Sequence, residues 1–172
     1  MRRLLLLFCL PLLVTCTDRV HDDAVEALGP EAPGVKEGPL HRPGQPCLTC
    51  HGGWGPGEPD CAAAGTIFKV RGEPEGFPGV TVELSDANGE IRRVVTNEVG
   101  NFWIPADQWT PTFPMFAKIS APNGKSASMY TRIGRNAGCG ECHLSPESSR
   151  KMPGVYFYRT RDEANRAEGV KP

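Results

Sequence analysis

The chain of 172 residues carries 19 basic and 20 acidic side chains, for a net charge of −1. That length allows one domain with additional segments, and a balanced charge with no basic block argues against nucleic acid as a partner. Twenty glycines and 17 prolines interrupt the chain too often for long helices, so short strands joined by turns are expected.

The N-terminus reads as a targeting segment. Arg2 and Arg3 precede a run from Leu4 to Val14 that is apolar apart from Pro11. The run is too short to span a bilayer and has the form of a secretory signal core. Its end, Leu13-Val14-Thr15-Cys16, resembles the bacterial lipoprotein signal. The resemblance implies cleavage before Cys16 and lipidation of Cys16 as the new first residue; residues 1–16 together form the lipoprotein-type signal peptide. Thr17 and Asp18 follow Cys16 and lack the pattern linked to inner-membrane retention, which implies an outer-membrane, periplasmic or cell-surface lipoprotein. Ordinary secretion and an uncleaved anchor are the alternatives, and each also places the chain outside the cytoplasm. Residues 17–46 then read as a flexible tether: five prolines and four glycines lie among charged residues, with too few apolar side chains to offset ordering entropy.

From residue 64 the pattern turns to strands. Thr66, Phe68 and Val70 alternate with other residues, and Val80, Val82 and Leu84 alternate with Thr81, Glu83 and Ser85, the period of a half-buried strand. Asp86 to Gly89 signals a turn, Ile91 to Thr96 a strand, Asn97 to Gly100 a second turn, and Asn101 to Ile104 another strand. Phe113, Met115, Ala117 and Ile119 fall on one face of a further strand, Ala127 to Thr131 on a sixth, and Val155 to Tyr158 on a seventh. No helix is expected before the charged tail of residues 159–172, where Glu163 to Ala167 suggests a frayed turn. About seven short strands at this spacing predict a mainly β fold, a prealbumin- or Ig-like β-sandwich over residues 47–158. Gly65-Thr66-Ile67-Phe68, Pro78-Gly79-Val80-Thr81-Val82 and Thr96-Asn97-Glu98-Val99-Gly100-Asn101-Phe102 resemble the carboxypeptidase regulatory-like (CnaB-like) β-sandwich family. That resemblance implies a scaffold or binding module without an active site.

Two motifs carry chemistry. Cys47-Leu48-Thr49-Cys50-His51 and Cys139-Gly140-Glu141-Cys142-His143 are both C-x-x-C-H, the c-type haem attachment sequence. The two thiols can each form a thioether to a haem vinyl group, and the adjoining histidine can ligate the iron. Cys47, Cys50, His51, Cys139, Cys142 and His143 are thus expected to hold two covalent c-type haems, with His51 and His143 as proximal ligands. A four-cysteine zinc site is disfavoured by the gap of roughly ninety residues between the pairs. A thioredoxin-like site lacks its strand–helix context, and two local disulfides would leave both histidines without a purpose. His41, Met129 and Met152 are candidates for distal ligands; Met115 reads as core packing, and His21 as a solvated side chain. Glycines flanking both motifs would leave room for a flat macrocycle, and Trp54 reads either as packing beside the first or as simple core filling. Cys61 is left over: a buried free thiol, a partner in an intermolecular disulfide, or a contact of the first haem.

The order of elements carries one more expectation. The first motif precedes the first strand and the second follows the sixth, so alternating passes return both motifs to one pole. The leading reading is an exported dihaem c-type cytochrome lipoprotein that moves electrons, with redox proteins as partners and the membrane reached through its lipid. A surface module binding carbohydrate or protein, and a haem peroxidase-type enzyme, are the alternatives. No nucleophile triad, P-loop or dinucleotide-binding glycine motif is present.

Overall fold

A computed structural model describes residues 18–144 and 152–169. The segment expected to be a signal, with the expected lipidation site Cys16, lies outside the described residues. The chain is mainly β. Among the described residues, the strands are β1 (Cys61–Val70), β2 (Thr81–Ser85), β3 (Ile91–Val95), β4 (Asn101–Pro105), β5 (Phe116–Ser120), β6 (Ser126–Ser128), β7 (His143–Leu144), β8 (Met152–Pro153) and β9 (Val155–Tyr158). Each of the seven stretches with a strand pattern carries one. The two-residue strands β7 and β8 are additional, too short for any period to reveal.

The strands form a three-stranded sheet in the order β4-β1-β9, a four-stranded sheet in the order β3-β2-β5-β6, and the pair β7-β8. In the larger sheet the alternation read from sequence is realised. Val82 and Leu84 are buried while their neighbours on β2 are only partly covered. Met115 and Ile119 are buried, with Phe113 and Ala117 packed beside them. The outer strands β3 and β6 have no buried residue. The turns also form where expected. Asp86 accepts amide hydrogens from Asn88, Glu90 and Thr112. Gly100 closes the next turn at φ +79°, with Ile67 O only 2.2 Å from where a Cβ would stand, so no larger residue fits.

β1 departs from simple alternation. It begins at Cys61, three residues earlier than its pattern suggests, and eight of its ten residues are buried. The cause is that both faces are covered. Ala63, Ile67 and Val70 join an apolar cluster with Phe102, Ile104 and Tyr158 of the same sheet and with Val82, Leu84 and Ile119 of the other. Each large side chain buried there contributes about 1.5–3 kcal/mol. Thr66, on the opposite side, meets the segment expected to be a free tether.

That segment has structure of its own. Helix α1 (Arg19–Glu26) starts at Asp18, whose carboxylate accepts from His21 N at 3.2 Å and so satisfies one amide at the helix start. Further along, Gly44 N donates to Thr66 Oγ1 (2.8 Å), which donates to Asn101 Oδ1 (2.7 Å). Asn101 Nδ2 in turn donates to His41 O (2.8 Å), and Asn97 Nδ2 to Pro39 O (2.6 Å). Residues 39–44 are therefore a strap held by polar bonds, which hydropathy does not register. The tail is also ordered. Helix α4 (Arg161–Ala167) is capped by Thr160, buries Ala164, and is tied down by Arg161 to Glu73 and Glu75 and by Lys69 to Glu168. Among the described residues no helix is long and apolar enough to cross a membrane.

Because Thr66 and Asn101 are buried, removing one leaves its partners unsatisfied. Asn101→Ala is expected to cost about 2–3 kcal/mol in urea unfolding and to speed hydrogen exchange at the Gly44 amide. Unchanged exchange there would show that the strap is not held through this network.

Candidate functional site

Both C-x-x-C-H motifs fold into a single helical turn, α2 (Cys47–His51) and α3 (Cys139–Cys142). Helical spacing puts residues i, i+3 and i+4 on one face, so the two cysteines and the histidine of α2 share a side. In the second motif the helix ends one residue earlier, and His143 is already the first residue of β7.

The two turns pack on each other. Parallel pairing of β1 with β9 is the reason. Ile67 is in register with Val155 and Val70 with Tyr158, so both strands enter from the same end, and the motif that precedes each lies there. A parallel bridge between Ala64 and Gly138 extends the alignment to the edge of the second motif. Thr49 Oγ1 donates to Glu141 Oε1 at 3.1 Å, joining the centres of the two motifs across 92 residues. The expectation that both motifs lie at one pole therefore holds for the motifs themselves.

The glycines of the second motif do something other than leave open space. A Cβ on Gly140 would lie 2.5 Å from Gln45 O and 2.8 Å from Pro46 Cα, and one on Gly138 would lie 3.2 Å from Leu48 Cγ. They allow α3 to sit directly on the backbone entering α2. Gly65 of β1 receives Cys139 in the same way, with Cys139 Cβ 2.6 Å from the position of a Cβ. Trp54, expected beside the first motif's ligand, is 90% exposed.

The histidines are oriented alike. His51 Nδ1 is 3.0 Å from Pro59 O, and His143 Nδ1 is 2.8 Å from Pro153 O. A backbone carbonyl only accepts, so Nδ1 carries the proton in each ring and Nε2 is left with its lone pair free for a metal. Gly57 lies against the His51 ring, where a Cβ would come within 2.8–2.9 Å of three ring atoms. These proline carbonyls were not anticipated. The available signal was a proline eight or ten residues after each motif histidine, in a chain returning on itself.

The five cysteines of the described residues, Cys47, Cys50, Cys61, Cys139 and Cys142, are all unbridged. Burial pushes the Cys47 and Cys61 thiols up to about 11 and the Cys139 thiol up to about 12, and it also raises Cys50. With no metal cation beside them, such thiols stay protonated near neutrality. Among the described residues no group of three or more His, Cys, Asp or Glu side chains is placed to hold a bare metal ion. Cys61 is buried, with its Sγ 3.4 Å from Pro59 O, and it lines the same cavity as the first motif.

A cavity of about 820 Å³ opens beside the first motif, and its walls include Cys47, Cys50, His51, His41, Phe102 and Trp103. Two thiols and a directed imidazole on the wall of a largely apolar cavity of this size match what a covalently held porphyrin requires. The second motif offers the same donor set with Cys142 exposed. Of the distal candidates, His41 lines the first cavity, with its ring centre 5.7 Å from that of His51. Met152 pairs with His143 across β7-β8 and is 44% exposed, beside that histidine rather than facing it. Met129 follows β6, and its amide donates to Ala117 O in the four-stranded sheet. Met115 is fully buried core, as its alternation suggested. His21, expected in solvent, lies on α1 with Nε2 buried and unpartnered.

Compared with known proteins, the chain matches no family model, no curated protein and no solved structure.

Two outcomes follow from this packing. Gly140→Ala meets main chain that cannot yield and is expected to cost about 1–3 kcal/mol in unfolding midpoint, whereas Gly134→Ala, with nothing within 4 Å, should change little. Equal effects would contradict the interlocked motifs. In the unmodified chain the raised thiols keep their protons in the fold at pH values where unfolded thiols, near 9.0, have lost them. The unfolded state then binds fewer protons, so stability is full below pH 9 and declines as pH rises towards 11–12. Cys139→Ala should flatten that decline in urea titrations at several pH values.

Proposed function

We propose that the chain is an exported dihaem c-type cytochrome that transfers electrons, with Cys47, Cys50 and His51 holding one haem and Cys139, Cys142 and His143 the other. The observation that carries this reading is the repeated orientation of His51 and His143 by a proline carbonyl. A pair of disulfides gives no reason for the same Nδ1 bond at both motifs; a zinc ligand would use that bond equally, and what favours haem over zinc is the repeated C-x-x-C-H spacing itself.

Each residue has a stated task. Cys47, Cys50, Cys139 and Cys142 bond covalently to the porphyrin, which keeps the cofactor attached in an extracytoplasmic setting. His51 and His143 ligate through Nε2. Pro59 O and Pro153 O fix the ring tautomer and increase the basicity of the imidazole. The bound haem supplies one-electron redox chemistry, whose potential depends on axial ligands, hydrogen bonds and burial. The contact of α2 with α3 keeps the two sites adjacent, which suits passage of an electron between them. The two sheets around one apolar cluster support the reading of a β-sandwich scaffold resembling the carboxypeptidase regulatory-like family, which holds the loops in place. Lipidation at Cys16 and outer-membrane or periplasmic placement belong to the same proposal, as do redox proteins as partners.

The test is expression of the full chain in a host with cytochrome c maturation machinery. Mass spectrometry and the pyridine haemochrome assay are expected to give two haems per chain. The paired substitutions Cys47→Ser with Cys50→Ser, and Cys139→Ser with Cys142→Ser, should each remove one. A colourless mature chain with only the mass of its amino acids and lipid would refute the cytochrome reading and favour the surface binding module.

A further inference from the structure

We infer that His41 is the second axial ligand of the iron at the first motif, with Glu31 as the residue that positions it; this rests on the haem reading above. The first observation is distance. Two metal–nitrogen bonds of about 2 Å, plus the half-width of each imidazole, place ring centres on the order of 6 Å apart. The His41 and His51 ring centres are 5.7 Å apart, and both residues line the 820 Å³ cavity that also contains Cys47 and Cys50.

The second observation is an unsatisfied polar pair. His41 Nδ1 is buried without a hydrogen-bond partner, and so is Glu31 Oε2. The carboxylate is nevertheless close, with Glu31 Oε1 at 3.5 Å from His41 Nδ1, just beyond the range of a normal hydrogen bond. A small movement of the ring lets Nδ1–H donate to Glu31 and leaves Nε2 for iron. Glu31 would then do for His41 what Pro59 O does for His51, with the stronger acceptor being a carboxylate.

The third observation is strain next to His41. Arg42 has φ +47°, in the left-handed region, which is uncommon for a residue other than glycine and persists only where surroundings enforce it. Here the guanidinium donates to Glu31 Oε1 (2.8 Å), Gln45 Oε1 (2.8 Å), Gly29 O (2.7 Å) and Leu28 O (3.3 Å). The same salt bridge that enforces the turn holds the Glu31 carboxylate beside His41. On the other side, Asn101 Nδ2 donates to His41 O at 2.8 Å. The ligand is thus fixed through its own backbone and through its neighbour, as a preorganised site requires.

The experiment uses the haem-loaded full chain, with the haem count taken first. Reduced protein is titrated with carbon monoxide, which needs an open axial position. His41→Ala is expected to bind one more carbon monoxide per chain than wild type, and added imidazole should restore the six-coordinate low-spin spectrum. Wild type itself should show, for one haem, the near-infrared magnetic circular dichroism band of two imidazole ligands, a readout that needs no variant to fold. Glu31→Gln should keep that coordination and raise the reduction potential of one haem, because a weaker acceptor reduces the donor strength of the imidazole. If haem is present at Cys47 and Cys50 but His41→Ala leaves carbon monoxide binding unchanged, or wild type lacks the bis-imidazole band, this assignment is overturned while the cytochrome reading stands. Unchanged potential in Glu31→Gln removes Glu31 from it. A chain with no haem at the first motif overturns both.

Discussion

The parallel pairing of β1 with β9 is the constraint on which the site depends. Two parallel strands must start from the same end of their sheet, and each of these is preceded by a C-x-x-C-H turn. Parallel strands cannot be joined by a tight hairpin and need a long crossover. Here the crossover contains the whole four-stranded sheet and the second motif. The apolar cluster shared by the two larger sheets makes that arrangement stable, and glycines at 65, 138 and 140 let the motif backbones close onto β1 and onto each other.

Around this contact the polar groups divide into two kinds. Some orient histidines: Pro59 O and Pro153 O those of the two motifs, and Glu31 lies beside His41. Others hold the strap that carries His41, through Thr66, Asn97 and Asn101. Of that group, Thr66 and Asn101 are paired across β1 and β4. β1 is covered by the apolar core, by the strap at Thr66 and by Cys139 at Gly65, and this accounts for its nearly continuous burial. In the first motif both cysteines are partly buried, while in the second Cys142 is exposed.

Much of the fold was legible from period and turn chemistry. Val82 and Leu84, and Met115 and Ile119, announced their buried faces. Asp86 and Gly100 announced their turns, because Asx side chains bond their own backbone and glycine accepts positive φ. Three features were not legible. The early start of β1 at Cys61 and its two covered faces came from what packs on it. The strap was read as a free tether because its stability lies in hydrogen bonds rather than apolar area. The ion pairs of α4 likewise join residues 86 to 99 positions apart, where composition showed only charge.

By itself the sequence determined the local chemistry: two thiols and an imidazole within five residues, twice, since the covalent geometry of one helical turn brings those groups together without help from the rest of the chain. Tertiary structure decided everything that depends on residues distant in sequence. It brought Thr49 to Glu141, aimed each histidine with a returning proline, and set His41 opposite His51. The physical reason is that ring orientation and site adjacency follow from strand order and close backbone approach, and neither leaves a periodic trace in the chain.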